Sequence, residues 1–307
     1  MTDIIIIGGG TAGLTAAIYL QRSALQCTIL EANVFGGRIF PTLSIENYPA
    51  MPGVSGFDYS EKLRTQAQAL GAELTVQTAL TLTRLGNLWQ VTTKDQTFTS
   101  RAVIFAAGEK QRLLGAQGEK ELFGRGVAAC AACDGALFRG KDVAVVGGGD
   151  KALDDALTLS RLCTSVHLIH RRDEFRGLGG TVVKVKETPN ITLHLNCTVV
   201  SINGTRRVES ITIRSTESGE DKTLTVSGVF VAVGSDPQTT LCAKFVQLDK
   251  QGYIIAGEDC KTSEPGLFVA GDVRRKPFRQ LVTAAADGAV AAKAAVDYIA
   301  AMKEEKS

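Results

Sequence analysis

Two cysteines, Cys130 and Cys133, lie between two copies of one glycine pattern. The first copy is Gly8-Gly9-Gly10-Thr11-Ala12-Gly13, and the second is Gly147-Gly148-Gly149-Asp150-Lys151-Ala152. A glycine turn between a strand and a helix cradles a dinucleotide pyrophosphate, because the amides at the helix start point at the anion. A vicinal dithiol opens and closes by thiolate exchange. Two dinucleotide sites and a dithiol in one chain point to an electron relay, from a nicotinamide through a flavin to a disulfide.

A repeat positions these residues. Asp3 to Ile7 and Asp142 to Val146 are short β-branched runs ending at glycine. Helices are expected over Thr11 to Ser23 and Lys151 to Leu162, then strands over Gln26 to Leu30 and Ser165 to Ile169. From Gly8 to Glu31 is 23 positions, and from Gly147 to His170 is also 23. Those two residues therefore sit at equivalent strand tips, where an adenosine ribose is expected. Glu31 can accept hydrogen bonds from ribose hydroxyls, and its charge repels a 2′-phosphate. The second copy reads His170-Arg171-Arg172-Asp173-Glu174-Phe175-Arg176 there. Three guanidinium groups suit a 2′-phosphate through bidentate, charge-assisted hydrogen bonds. The first site is thus expected to hold FAD and the second NADPH.

Three further apolar runs end at glycine: Val103 to Gly108, Val229 to Gly234 and Leu267 to Gly271-Asp272. Continuous apolar runs suit strands covered on both faces. The expected fold class is α/β, with two Rossmann-like dinucleotide domains, the second inserted into the first. The expected boundaries are 1–113 and 239–307 for the FAD domain and 114–238 for the NADPH domain. Gly115-Ala-Gln-Gly118 and Gly234-Ser-Asp-Pro237 mark the crossings and suit a hinge.

The 307 residues carry a formal net charge of +2 and one tryptophan, which gives no charge field or stacking platform for nucleic acid. Ile4 to Ile7 is too short for a signal peptide or membrane span, and no run approaches the ~20 apolar residues a span needs. A cytoplasmic protein with no membrane contact is expected. Of seven cysteines, Cys27, Cys163, Cys197, Cys242 and Cys260 stand singly and read as buried small hydrophobes. Cys130-Ala-Ala-Cys133 has no second knuckle to complete a zinc site, so a redox dithiol is favoured over structural zinc or unrelated buried thiols. Asp134, beside the second sulfur, can supply or take the proton of thiolate release, or serve as a cap or turn residue.

The chain resembles the low-molecular-weight, bacterial-type NADPH-dependent thioredoxin reductases. The likeness spans essentially all of it: the first glycine turn, Glu46-Asn47-Tyr48-Pro49, Cys130 to Gly135, His170 to Arg176, Gly271-Asp272-Val273 and Arg279-Gln280. It implies that NADPH reduces FAD, that FAD opens the Cys130–Cys133 disulfide, and that the dithiol reduces thioredoxin. It implies a homodimer whose two domains rotate against each other. Residue by residue, Gly8, Gly10 and Gly13 would receive the FAD pyrophosphate and Glu31 the ribose. Gly36, Gly37 and Asn47 would line the flavin, with Gly271-Asp272 on its ribityl or phosphate portion and Gln280 near the ring. Gly147, Gly149 and Ala152 would cradle NADPH, with Arg171, Arg172 and Arg176 on its 2′-phosphate. Cys133 would be the sulfur nearer the flavin.

Several positions depart from the family pattern. Thr11 replaces proline and is expected to cap the helix. Ala132 removes a hydroxyl near the sulfurs. Arg38 replaces glutamine beside the flavin, where a cation favours anionic reduced flavin. Asp154-Asp155 replace glutamates, and Gly177 and Gly179-Gly180 suggest looser packing near the arginines. Two other readings stand beside the main one. The relay can keep its core and change an end, with ferredoxin as donor or a glutaredoxin-like or peroxide-reducing acceptor; the arginine trio argues against a changed donor. A non-catalytic redox sensor would bind FAD without turnover, and Cys130, Cys133 and Asp134 argue against it.

Overall fold

The computed structural model describes residues 1–42, 44–177 and 179–304. The chain divides into two compact units, Met1–Lys110 with Asp236–Ser307, and Gln111–Ser235. Each crossing thus falls three residues before the boundary expected from sequence. The crossing segments β8 (Glu109–Gln111) and β17 (Ser235–Pro237) pair as a two-stranded ribbon. The Gly234 signal adjoins this ribbon. Gly115 and Gly118 do not: they lie inside the second unit, where a Cβ on Gly118 would strike the Ile202 carbonyl.

In the first unit, β1 (Ile4–Ile7) leads through α1 (Thr11–Arg22) to β2 (Cys27–Glu31), and α2 (Gly56–Ala69) leads to β3 (Glu73–Val76). A meander of β4 (Thr81–Leu85), β5 (Leu88–Thr92) and β6 (Thr97–Ser100) then feeds β7 (Ala102–Phe105). After the insert, β18 (Leu267–Val269) and α6 (Leu281–Glu304) complete the unit. The parallel sheet has the order β18-β7-β1-β2-β3. β1 is buried at every residue, because α1 and α6 cover one face and the β4–β6 meander covers the other. That is why it reads as unbroken isoleucine rather than as an alternation.

The second unit repeats the plan. β10 (Asp142–Val146), α4 (Asp150–Ser160), β11 (Ser165–Ile169), α5 (Gly179–Glu187) and β12 (Ile191–His194) follow in chain order. Strand β16 (Gly228–Val231) and the short β9 (Val127–Ala128) complete a parallel sheet of order β12-β11-β10-β16-β9. α4 and α5 pack on one face, and an antiparallel sheet of β13 (Cys197–Asn203), β14 (Ser210–Ser215) and β15 (Asp221–Thr225) packs on the other. The short helix α3 (Ala131–Asp134) precedes β10 and lies against α4. Both glycine turns therefore stand at the carboxyl end of a central strand, where doubly wound sheets bind ligands. Among the described residues, no helix is long and apolar enough to cross a membrane.

Candidate active site

The first glycine turn is shaped by close backbone approach. Gly8 has φ +108°, and a Cβ there would strike the Ala106 carbonyl at the end of β7. A Cβ on Gly13 would strike the Gly8 carbonyl, so α1 can pack onto the turn only with glycine at that position. Gly10 is the N-cap of α1, with an extended backbone, no side-chain cap and no acidic residue in the first turn. Thr11, expected as the cap, is instead the first helical residue and is buried. The pyrrolidine of a proline would fit that position for the same reason, since the first helical amide has no partner within the helix. The uncapped amides leave the helix start available to an anion.

Glu31, the last residue of β2, turns both oxygens onto backbone. Oε2 accepts from the Gly9 amide at 2.7 Å and Oε1 from the Asn33 amide at 2.9 Å. Gly36 and Gly37 arrive from elsewhere in the chain. The Gly36 amide donates to the Gly9 carbonyl at 2.8 Å, and a Cβ on Gly37 would lie 3.3 Å from Gly10 Cα. Asn47 and Gln280, 233 positions apart, meet through Asn47 Nδ2 donating to Gln280 Oε1 at 2.9 Å.

Gly271 and Asp272 follow β18 on a tight turn, with Gly271 at φ +80°. A Cβ on Gly271 would lie 2.9 Å from Ala12 Cβ, and one on Gly288 of α6 would strike the Ala12 carbonyl. Small residues thus bring α6, α1 and the Asp272 turn together. Asp272 Oδ1 is buried and has no hydrogen-bond partner, its nearest cation being Lys276 Nζ at 3.6 Å. Burial pushes its carboxyl upward, against Lys276. A buried, unbonded carboxylate oxygen beside an uncapped glycine turn fits a ligand with hydroxyl donors and a pyrophosphate, as a flavin dinucleotide has.

Sequence reading missed the residues that hold this turn. Asp287, in α6, accepts from the Gly271 amide at 3.0 Å, Arg274 Nη2 at 2.8 Å and Lys276 Nζ at 2.9 Å. Its signal was a carboxylate in phase with the buried Gly288, Ala291 and Ala295. Arg38 does not stand free. Its guanidinium pairs with Glu109, whose other oxygen accepts from the Tyr253 hydroxyl at 2.8 Å. Burial and Glu109 push the Tyr253 phenol up to about 12, and the Arg279 guanidinium lies 3.8 Å from its ring centre.

The second turn matches the first. Gly147 has φ +156°, and a Cβ there would strike the Ala232 carbonyl and approach Ala152 Cβ to 2.8 Å. Gly149 caps α4 with no side-chain partner, and nothing stands within 4 Å of where its Cβ would be. Asp150 does place a carboxylate in this first helical turn. His170 is buried under Gly148; its Nε2 lies 3.1 Å from the Glu174 carbonyl, and its ring stacks on Phe175 at 5.4 Å. It builds the loop that carries Arg171, Arg172 and Arg176, all exposed. Gly177, expected to loosen this region, does the reverse: a Cβ there would strike Leu153 and lie 3.0 Å from Asp150 Oδ1.

Cys130 and Cys133 form a disulfide, with Cα atoms 5.3 Å apart. Cys130 is the N-cap of α3, and its Sγ accepts from the Cys133 amide at 3.2 Å. Both cysteines are half-buried, and Ala132 between them is exposed. Asp134 closes α3 and stands at the N-cap of the 3-10 turn Gly135–Phe138, where its side chain makes no cap hydrogen bond; burial raises its carboxyl to about 6. Asp155, from α4, accepts from Lys151 Nζ at 2.5 Å, and burial raises its carboxyl, against Lys151. Of the five single cysteines, four are buried, and burial lifts the Cys27 and Cys163 thiols to about 11 and those of Cys242 and Cys260 to about 12. Cys197, expected to be buried, is half-exposed at the start of β13.

A family model described as pyridine nucleotide-disulphide oxidoreductase matches residues 2–288. The chain belongs to this family. It is an oxidoreductase, and membership implies use of a flavin and a nicotinamide cofactor. A thioredoxin reductase of Treponema pallidum is 41% identical over 299 residues, 97% of each chain. A bifunctional thioredoxin reductase/thioredoxin of Mycobacterium leprae is 42% identical over 301 residues, which cover 97% of this chain and 66% of that protein. A solved thioredoxin reductase of Streptococcus pyogenes superposes with a TM-score of 0.94 at 35% identity, covering 98% of this chain and 99% of that one.

Proposed function

We propose that this oxidoreductase is an NADPH-dependent thioredoxin reductase that works through FAD and the Cys130–Cys133 disulfide. The observation that carries the reading is the redox turn. A half-buried disulfide caps a helix, beside a carboxyl held near pH 6, in the same unit as a dinucleotide turn and three exposed arginines.

In the first unit, the Gly8, Gly10 and Gly13 turn and the start of α1 bind the FAD pyrophosphate, and Glu31 orders the loop and meets the ribose. Gly36, Gly37, Asn47 and Gln280 would line the flavin, and Asp272, whose Oδ1 is buried without a hydrogen-bond partner, would take its ribityl or phosphate portion. In the second unit, Gly147, Gly149 and Ala152 form the NADPH turn, and Arg171, Arg172 and Arg176 grip the 2′-phosphate. When bound, the flavin supplies a two-electron carrier between nicotinamide and disulfide.

The dithiol then acts by exchange. The Cys130 thiolate, held by the Cys133 amide, attacks the partner disulfide and forms a mixed disulfide while the first partner sulfur leaves. Cys133 attacks Cys130 Sγ, closes the internal disulfide and releases the second partner sulfur. Asp134 donates a proton to a leaving thiolate and takes one from the Cys133 thiol. The partner is a thioredoxin, the protein is a cytoplasmic homodimer, and the second unit moves relative to the first between the two half-reactions.

Anaerobic titration tests this reading. The purified protein is yellow, NADPH bleaches it faster than NADH, and thioredoxin restores the colour. A Cys133→Ser variant still bleaches with NADPH and does not reduce thioredoxin. Colourless protein refutes the flavin; bleaching without thioredoxin reduction points to another acceptor.

A further inference from the structure

The loop that carries the three exposed arginines is held by the corner where β12 passes into β13. The His170 amide donates to the His194 carbonyl at 2.9 Å, and the Cys197 amide donates back to the His170 carbonyl at 3.0 Å. Between them, the Asn196 amide donates to the Arg172 carbonyl at 3.2 Å. Asn196 has φ +50°, a left-handed backbone that asparagine adopts more readily than most residues with a side chain. Its carbonyl accepts from the Thr216 amide at 2.7 Å and from Thr216 Oγ1 at 3.0 Å, and its Nδ2 donates to Glu217 Oε1 at 2.7 Å. Thr216 and Glu217 belong to the turn between β14 and β15. The left-handed backbone lets the amide of Asn196 face Arg172 while its carbonyl faces Thr216. Arg176 is tied elsewhere, its amide donating to the Gly148 carbonyl at 2.7 Å.

We propose that Asn196 is a positioning residue for recognition of the NADPH 2′-phosphate: it pins Arg172 to the β14–β15 turn, so that the guanidinium meets the phosphate from a fixed backbone. This rests on the reading of Arg171, Arg172 and Arg176 as the 2′-phosphate grip. An exposed arginine on a loose backbone must be ordered when the ligand binds, and that ordering lowers affinity. A residue that keeps the left-handed conformation keeps the pin. Glycine adopts it without penalty, whereas β-branched valine does not hold it. Glycine is therefore the milder replacement here, the reverse of its usual effect on a folded chain. The effect also runs through one arginine. With Arg172 gone, residue 196 no longer matters to the phosphate. A role in stability alone predicts neither result.

The test titrates the full-length holoenzyme in a calorimeter with adenosine 2′,5′-bisphosphate and with 5′-AMP, which lacks the 2′-phosphate. Asn196→Val is expected to weaken binding of the bisphosphate by roughly three- to tenfold and to leave that of 5′-AMP within about twofold. Asn196→Gly stays within about twofold of wild type for both. In an Arg172→Ala background, Asn196→Val has no further effect on the bisphosphate, because the two changes remove one shared interaction. Equal losses for the two nucleotides, an undiminished loss without Arg172, or a glycine variant as weak as the valine one overturns the proposal. If the valine variant does not fold, Thr216→Val decides, since it removes the Oγ1 bond to the Asn196 carbonyl. It is expected to weaken the bisphosphate by about two- to threefold with Arg172 present and not at all without it; no change in either background overturns the proposal. A wild-type protein that binds both nucleotides equally sinks the arginine reading, and the proposal with it. A wild type that prefers the bisphosphate, with a preference the variants leave intact, sinks this proposal alone.

Discussion

Replacing Asp287 by alanine is expected to cost the first unit a large part of its stability. Asp287 is 6% exposed and Arg274 is 4% exposed. The carboxylate accepts two hydrogen bonds from Arg274, at 2.8 and 3.3 Å, one from Lys276 at 2.9 Å and one from the Gly271 amide at 3.0 Å. Without it, the buried guanidinium keeps the Gly257 carbonyl at 2.9 Å. Its other acid, Glu258, lies 3.7 Å away with a side chain 96% exposed, too well solvated to compensate. Removing one partner of a buried ion pair costs about 3–5 kcal/mol, against about 5–15 kcal/mol for the whole fold. Trp89 is the single tryptophan and is fully buried in this unit, so its fluorescence reads unit one alone. Urea unfolding is followed without flavin or nucleotide, since a bound ligand adds its own stabilisation. The expected loss is about 3–5 kcal/mol, with a fall in flavin retained after purification. Adding Arg274→Met to Asp287→Ala should recover part of it, because the unpaired charge is gone. A loss under about 1 kcal/mol, or a double variant no more stable than the single, refutes the reasoning.

Two further outcomes follow from the site. Burial raises the Asp134 carboxyl from 3.8 to about 6 in the folded protein, so its contribution is fully present below pH 3.8 and is lost as pH rises through about 6. Asp134→Asn should therefore be more stable than wild type above pH 6, with the gap closing toward pH 3.8; urea midpoints across that range check it, and an unchanged gap contradicts it. Replacing Arg171, Arg172 and Arg176 singly by alanine should raise the KM for NADPH by roughly 10- to 100-fold, the worth of a charge-assisted hydrogen bond. The KM for NADH should stay put, and steady-state rates with both nucleotides decide the matter.

The pairing of glycine turn, helix and second strand was legible because it is local. Each turn needs glycine within a few residues of the strand end, and the equal spacing to Glu31 and His170 reports helices of nearly equal length between, 12 and 11 residues. His170 shows the limit of that argument. It holds the position of Glu31 but packs under Gly148 and takes a carbonyl, so equal spacing gave equal placement and a different job. The helix caps also escaped. Thr11 has a capping side chain by type, yet Gly10 holds that place, and Asp134 stands at the N-cap of Gly135–Phe138 without a side-chain bond, because the backbone path into each helix selects the cap.

The sequence alone determined the α/β class, the two glycine turns, the cysteine pair and the arginine cluster, since each depends on contacts within a few dozen residues. Only the tertiary structure decided what supports them. Asp287 reaches Gly271 across 16 positions, Arg38 reaches Glu109 across 71, and Asn47 reaches Gln280 across 233. Buried charges must find partners wherever the fold brings them close, and a linear pattern carries no record of which distant segments share that space.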